Sequence, residues 1–139
     1  MDKGCPECGF LLWNPVAQLG VSIVGVYSDA RFPGRCIVSL NAHHEHLEDV
    51  DSEMVLGFLL DVQCSMRAIK AATGSEQVDV AILGNTVAHV HAHLIPRYPE
   101  KEAFPALTPW DDPRPRAKME QDDLDAIKVA ILEALDVRA

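Results

Sequence analysis

The sequence predicts an α+β fold in which one long helix and a C-terminal helix pack on an antiparallel sheet of about five strands. Three observations predict it. Short Val- and Ile-rich runs are bounded by Gly, Pro, Asn and Asp. One long central stretch carries apolar residues at helical spacing, and a second helical stretch follows a proline-studded segment. At 139 residues the chain is the size of one domain, so a single domain over residues 1–139 with one site is expected.

Residues 19–27 are rich in Val and Ile with partial alternation, ahead of the turn signals Ser28-Asp29 and Phe32-Pro33-Gly34, and read as a strand. Cys36, Ile37, Val38, Ser39 and Leu40 form a second short run, and the Pro33-Gly34 turn makes it an antiparallel partner of the first. Over residues 52–72 the positions Val55, Phe58, Leu59, Val62, Met66 and Ile69 recur at helical spacing. Asp51 or Ser52 is placed to cap that helix, and Gly74 to end it. Met54 and Met66 read as core packing.

Residues 78–83 and 89–95 read as two further strands joined through Gly84-Asn85-Thr86, where the glycine supplies a bend. Residues 99–115 carry too many prolines for a helix and read as a loop, an active-site wall or a dimer arm. A helical pattern returns over residues 117–137 through Met119, Leu124, Ile127, Ile131 and Leu135. No repeat or linker interrupts the chain.

Composition narrows the function classes. With 48% hydrophobic and 24% charged residues, the chain has the make-up of a globular protein and not of a disordered one. A net charge of −9 argues against binding a nucleic-acid polymer, which needs many Lys and Arg on phosphates, but leaves room for one nucleotide. No apolar run reaches the roughly 18 residues of a membrane span, and the N-terminus lacks a signal-peptide layout. The expectation is a cytoplasmic protein, in which four cysteines are metal ligands or buried thiols and not a disulfide frame.

The run His89-Val90-His91-Ala92-His93 is the first chemical signal. On a strand, alternate side chains share a face, so the three imidazoles project together while Val90, Ala92 and Leu94 face the other way. Imidazole titrates near neutrality, so a neutral ring serves as nucleophile or base and its neighbours bind anionic oxygens. Phosphate chemistry suits such a row. A three-histidine metal site that activates water is also compatible with the spacing, as are histidines merely satisfied by hydrogen bonds.

Cys5-Pro6-Glu7-Cys8-Gly9 is the second signal, a short loop that lets two thiolates converge on one zinc ion. It marks residues 1–13 as a zinc knuckle lacking two further ligands. A redox pair or free thiols are the other readings, although a redox motif ordinarily follows a strand, and few residues precede Cys5. Cys36 and Cys64 fall within apolar patterns and read as buried small hydrophobes. Trp13 and Trp110 are candidates for stacking on a base, for a dimer interface, or for packing at a core edge.

His89-Val90-His91-Ala92-His93-Leu94-Ile95, followed by Pro96-Arg97, resembles the histidine-triad (HIT) signature, in which three histidines alternate with apolar residues. The resemblance extends upstream through His43 to the segment beginning Phe32-Pro33-Gly34-Arg35, and is strongest to the bacterial branch grouped with dinucleoside-polyphosphate (diadenosine tetraphosphate) hydrolases.

It implies a HIT-like fold and a nucleotide hydrolase in which His91 attacks the α-phosphorus of a phosphoanhydride or phosphoramidate, giving a nucleotidyl-histidine that water resolves. It places His93, Asn85 and Thr86 on phosphate oxygens. It assigns Cys5, Cys8, His43 and His89 as ligands of a structural zinc, with His44 or His46 as alternatives to His43, and implies a homodimer. Two departures stand out: the loop before His89 is shorter than the family's glycine-rich one, with Gly84-Asn85 where that loop has Gly-Gln, and Tyr27 replaces the acidic residue that often holds the ribose, with Asp29 two positions on as its substitute. The same intermediate would serve a nucleotidyl transferase or phosphorylase, and a binding protein with little turnover is a further alternative. The C-terminal part of the domain is a loop plus helix over residues 98–139, and its loop from Tyr98 to Pro115 walls the leaving-group side.

Overall fold

Alternation of bulky and small residues along the strands puts Val24, Val38 and Ala92 side by side on one sheet face, and it is there that the core forms. The structure, a computed structural model, describes residues 4–138. Met1, Asp2 and Lys3, where the N-terminal layout was read, lie outside the described residues.

Five strands, β1 (Pro15–Gln18), β2 (Ser22–Val26), β3 (Cys36–Leu40), β4 (Gln77–Ala81) and β5 (His91–Arg97), form one sheet in the order β1-β2-β3-β5-β4, antiparallel throughout. Helix α1 (Ser52–Thr73) connects β3 to β4, and α2 (Gln121–Arg138) closes the described chain. The α+β expectation of a five-stranded antiparallel sheet with two helices is met.

The boundaries differ in instructive ways. The stretch 19–27 contains a tight turn after Gln18, so it supplies only β2, and the preceding Pro15–Gln18 is a separate edge strand. The strand expected from His89 begins at His91, and His89 sits in a bend before it. Gly84 needs no left-handed backbone, so the bend beside it is not a glycine requirement. Gly34 does need one: its φ is +97°, and a Cβ there would lie 2.6 Å from Thr73 Cγ2. Residues 117–120 are not helical. Ala117 and Met119 instead pin the chain to the β2–β3 connection, through Ala30 N–H to Ala117 O and Met119 N–H to Ser28 Oγ.

Helix α1 buries Phe58, Val62, Ala68 and Ile69 against the sheet, and Gly74 ends it with φ +75°. Leu59, expected on the buried stripe, is 44% exposed; the helix is rotated so that Asp61 turns inward instead. The Asp61 carboxylate accepts from Gly20 N–H, Val21 N–H and Ser22 Oγ–H, which offsets the cost of burying it and ties α1 to the β1–β2 turn. Asp51 makes no side-chain cap. Helix α2 adds Leu124, Ile131 and Leu135 to the core. No helix among the described residues is long and apolar enough to cross a membrane.

With Val38 and Ala92 directed at the helices, strand alternation sends Ile37, Ser39, His91 and His93 to the opposite face, where Ile37 pairs with His93 and Ser39 with His91. This second face carries His91 and His93, the two candidate site histidines of β5.

Candidate functional site

His91 and His93 stand together on that face, ring centroids 5.1 Å apart and planes at 68°. His91 Nδ1 lies 2.6 Å from the carbonyl of His89. A carbonyl oxygen only accepts, so Nδ1 carries the proton and donates, and the lone pair is left on Nε2. A nucleophile needs that arrangement. His89 does not share the row: its ring packs beside His43, centroids 5.4 Å apart, and Phe10 lies between it and His91, at 5.5 and 5.1 Å from the two rings.

Cys5, Cys8, His43 and His89 converge, with one donor atom from each all within 4.8 Å of one another. Cys5 Sγ is 3.5 Å from His43 Nδ1, and Cys8 Sγ is 3.4 Å from His89 Nδ1. A sulfur and a nitrogen at ordinary zinc distances and a tetrahedral angle are about 3.5 Å apart, so the spacing fits one such ion. The donor chemistry fits as well. His89 Nε2 donates to Leu40 O at 2.7 Å, which leaves Nδ1 unprotonated and turned toward the thiols, the outer-shell pattern of a ligating histidine. Burial raises the Cys5 thiol, but the backbone N–H groups of Cys8 and Glu7 outweigh it and bring it below its ordinary range. Burial and the adjacent Cys5 hold Cys8 above it. Of the three neighbouring histidines the cluster takes His43; His44 and His46 are not in it.

Behind His93 lies a residue that the sequence reading passed over. Arg35, 1% exposed, reaches His93 Nδ1 with Nη2 at 3.3 Å and Asp29 Oδ2 with Nη1 at 3.0 Å. Its only sequence signal is a charged residue at the mouth of an apolar strand, directly after Phe32-Pro33-Gly34. Burial lowers the Arg35 pKa, and Asp29 opposes that effect. Burial, Arg35, His91 and Arg116 together push His93 down to about 4.

Asp29 is accordingly not open to a ribose. It is 2% exposed, both oxygens are taken by Arg31 and Arg35, and burial, which raises its pKa, is outweighed by these guanidinium groups. Tyr27 is half-buried: Arg35 sits 4.3 Å over its ring, and Arg116 donates to its hydroxyl at 3.4 Å. Asn85 and Thr86 are exposed on the β4–β5 connection, and no side-chain hydrogen bond holds them among the described residues.

The loop after β5 walls the site. Arg97, 5% exposed, holds Glu102 through Nη2 at 2.7 Å and Asp79 through Nη1 at 2.8 Å, and Arg31 Nη1 reaches Pro109 O at 3.5 Å. Trp110 then stands edge-on to His93 with centroids 5.3 Å apart. An open cleft of about 1020 Å³ runs alongside, lined by Phe10, Trp13, Tyr27, Ile37, Val87 and Met119 among others. Trp13 is 89% and Trp110 41% exposed, so neither tryptophan is core packing.

A five-stranded antiparallel sheet with two helices thus presents two histidines beside a cleft, one of them with its Nε2 lone pair free. The chain belongs to the HIT domain family, whose sequence model matches residues 16–100. Among solved structures it is similar to a histidine triad protein from Sinorhizobium meliloti 1021, with TM-score 0.78, 20% identity, and 87% of this chain and 88% of that one covered. A histidine triad protein from Marinobacter aquaeolei VT8 matches with TM-score 0.78 and 20% identity over 91% and 90% of the two chains. A zinc-bound histidine triad family protein from Mycobacterium smegmatis matches with TM-score 0.64 and 19% identity over 90% and 87%. A search of curated proteins finds no match.

Proposed function

We propose that this chain is a nucleotide hydrolase in which His91 attacks the α-phosphorus of a nucleoside phosphoanhydride or phosphoramidate. The observation that carries the reading is the 2.6 Å contact from His91 Nδ1 to His89 O, which leaves Nε2 free to attack. As the P–N bond forms, the bond from phosphorus to the leaving group breaks and that group keeps the electron pair. The ring becomes an imidazolium whose charge the His89 carbonyl stabilises. Water then adds to phosphorus, the P–N bond breaks, and a proton goes to solvent. His93 binds the phosphate beside it.

Asn85 and Thr86 reach the phosphate oxygens from the exposed connection, and Tyr27, now the better placed of the two ribose candidates, lines the cleft that takes the nucleoside. The N-terminal knuckle and the C-terminal loop and helix are parts of the same domain. Cys5, Cys8, His43 and His89 hold a zinc ion that cross-links the N-terminal segment to the start of β5; the tetrahedral spacing and the zinc in the Mycobacterium smegmatis relative support this. A homodimer is supported by β4, an edge strand, and by exposed Val80, Leu56 and Leu60.

Turnover of diadenosine tetraphosphate and of an adenylyl phosphoramidate, with and without added phosphate, tests the reading. AMP as product in both conditions supports hydrolysis. ADP formed only with phosphate would make the chain a phosphorylase with the same intermediate, and tight binding with no product would make it a binding protein.

A further inference from the structure

Arg35 is an expensive residue to keep where it is. It is 1% exposed, its guanidinium carbon lies 4.3 Å over Tyr27 and 5.4 Å over Trp110, and its buried Nε has no hydrogen-bond partner. An unpaired buried N–H costs stability, so packing alone does not account for this cation. What it does is meet His93. A guanidinium has N–H groups and no lone pair, and it stays protonated at any relevant pH. At 3.3 Å from Nη2, His93 Nδ1 is therefore the acceptor, and the proton of the neutral ring lies on Nε2.

The adjacent ring is the reverse. His91 carries its proton on Nδ1, against His89 O, and presents a lone pair. We propose that Arg35 is a positioning residue that holds His93 as a neutral Nε2–H donor, and that this confines the site to leaving groups departing as stable anions, phosphoanhydrides in preference to alkyl phosphoramidates. The second half rests on the reading of His91 as nucleophile.

The argument is a proton balance. When His91 Nε2 bonds to the α-phosphorus of an anhydride, the bridging oxygen leaves with the electron pair as a phosphate anion and needs no proton. An alkylamine cannot leave with its electron pair alone; nitrogen must receive a proton as the P–N bond breaks. Of the groups that face the reacting atoms here, an imidazolium is the one acidic enough to give it near neutral pH. His93 becomes an imidazolium only by placing a second proton on Nδ1, against the Arg35 N–H. The groups facing it are Arg35 just before β3, His91 from β5, Tyr27 after β2, and Arg116 and Trp110 from the segment before α2. The charged ones among these, Arg35 and Arg116, are cations. A neutral Nε2–H still donates a hydrogen bond to an oxygen that gains charge.

The tautomer is read directly from two-bond ¹H–¹⁵N correlations of uniformly labelled protein, with His93→Gln for assignment. Wild-type His93 is expected with a bare Nδ1 and a protonated Nε2 at neutral pH, and uncharged well below pH 6. In Arg35→Met, protonation moves up by about one pH unit or more toward the ordinary value of about 6.5, and the tautomers mix. Arg35→Lys, which keeps a cationic donor, retains the wild-type pattern and serves as a folded control. A wild-type proton on Nδ1, or unchanged His93 titration in a folded Arg35→Met, overturns the positioning role.

In kinetics, wild-type kcat/KM is expected to favour diadenosine tetraphosphate over an adenylyl alkylphosphoramidate by about 100-fold, the usual worth of a missing general acid, with the ratio narrowing in Arg35→Met. Equal use of both substrates by the wild type overturns the leaving-group half. Turnover of neither, with the expected tautomers in place, counts against His91 as nucleophile and leaves the Arg35–His93 assignment supported by its own measurement.

Discussion

His91 Nδ1 donates to the backbone carbonyl of His89 at 2.6 Å, while the side chain of the same His89 turns the other way, toward Cys8. One residue thus links the candidate metal cluster to the candidate nucleophile. If zinc occupies the cluster, its removal frees the chain around residue 89 and with it the carbonyl that orients His91. Purified protein is expected to carry about one zinc per chain, measured by elemental analysis. Chelation, or Cys8→Ser, should lower the melting temperature by several degrees, since about 1 kcal/mol corresponds to roughly 2–8 °C in domains of this size range. A melt that does not change on complete metal removal would contradict a structural role.

The Arg97 guanidinium is buried between Glu102 and Asp79. Glu102→Ala leaves that charge with only the more exposed Asp79, and breaking such a pair typically costs about 3–5 kcal/mol. The same pair anchors the loop that carries Trp110 to His93. Denaturant unfolding should therefore show a large loss of stability, and Trp fluorescence a change in the native baseline.

Gly34 makes a sharper steric prediction. Gly34→Ala puts a Cβ 2.6 Å from Thr73 Cγ2 at a φ of +97°, and should cost about 1–3 kcal/mol from the backbone conformation alone, with the clash added. Thr73→Ser removes Cγ2 and keeps the hydroxyl that donates to Ile69 O. In a double-mutant cycle it should recover the clash and leave the backbone cost, so the two substitutions are non-additive.

The linkage of stability to pH has a defined sign. Folded His93 protonates only at about 4, against an ordinary 6.5. Between those values the unfolded chain binds more protons, so stability falls as pH falls through that window, by at most about 1.4 kcal/mol per pH unit. Asp29 is depressed below its ordinary 3.8 and adds a separate loss only under that value. In chemical unfolding from pH 7 to 4, His93→Gln should flatten the dependence, because an amide oxygen accepts from Arg35 without taking up a proton.

Local signals explain what was legible in the sequence. The histidine row, the two cysteines and α1 were readable because each is a strong pattern close in sequence: alternation, a two-residue gap, a long helical period. The edge strand Pro15–Gln18 was not, since it opens on proline and its pairing with β2 exists only after a tight turn. His89 left the strand because Leu40 O and the thiols draw its ring away, a tertiary pull that spacing does not encode. Asp29 enters as a ribose contact only through the family resemblance, which puts an acid near the end of β2. Arg35 consumes it, and the significance of Arg35 itself depends on β3 pairing with β5.

The central claim is covalent chemistry at His91, and intact mass tests it most directly. Wild-type and His91→Ala protein are exposed briefly to diadenosine tetraphosphate and quenched at alkaline pH, where a phosphohistidine-type bond survives. The account predicts an adenylyl adduct on the wild type only, with His91→Ala folded and unmodified. Turnover that persists in His91→Ala, or an adduct mapping to another residue, would contradict it.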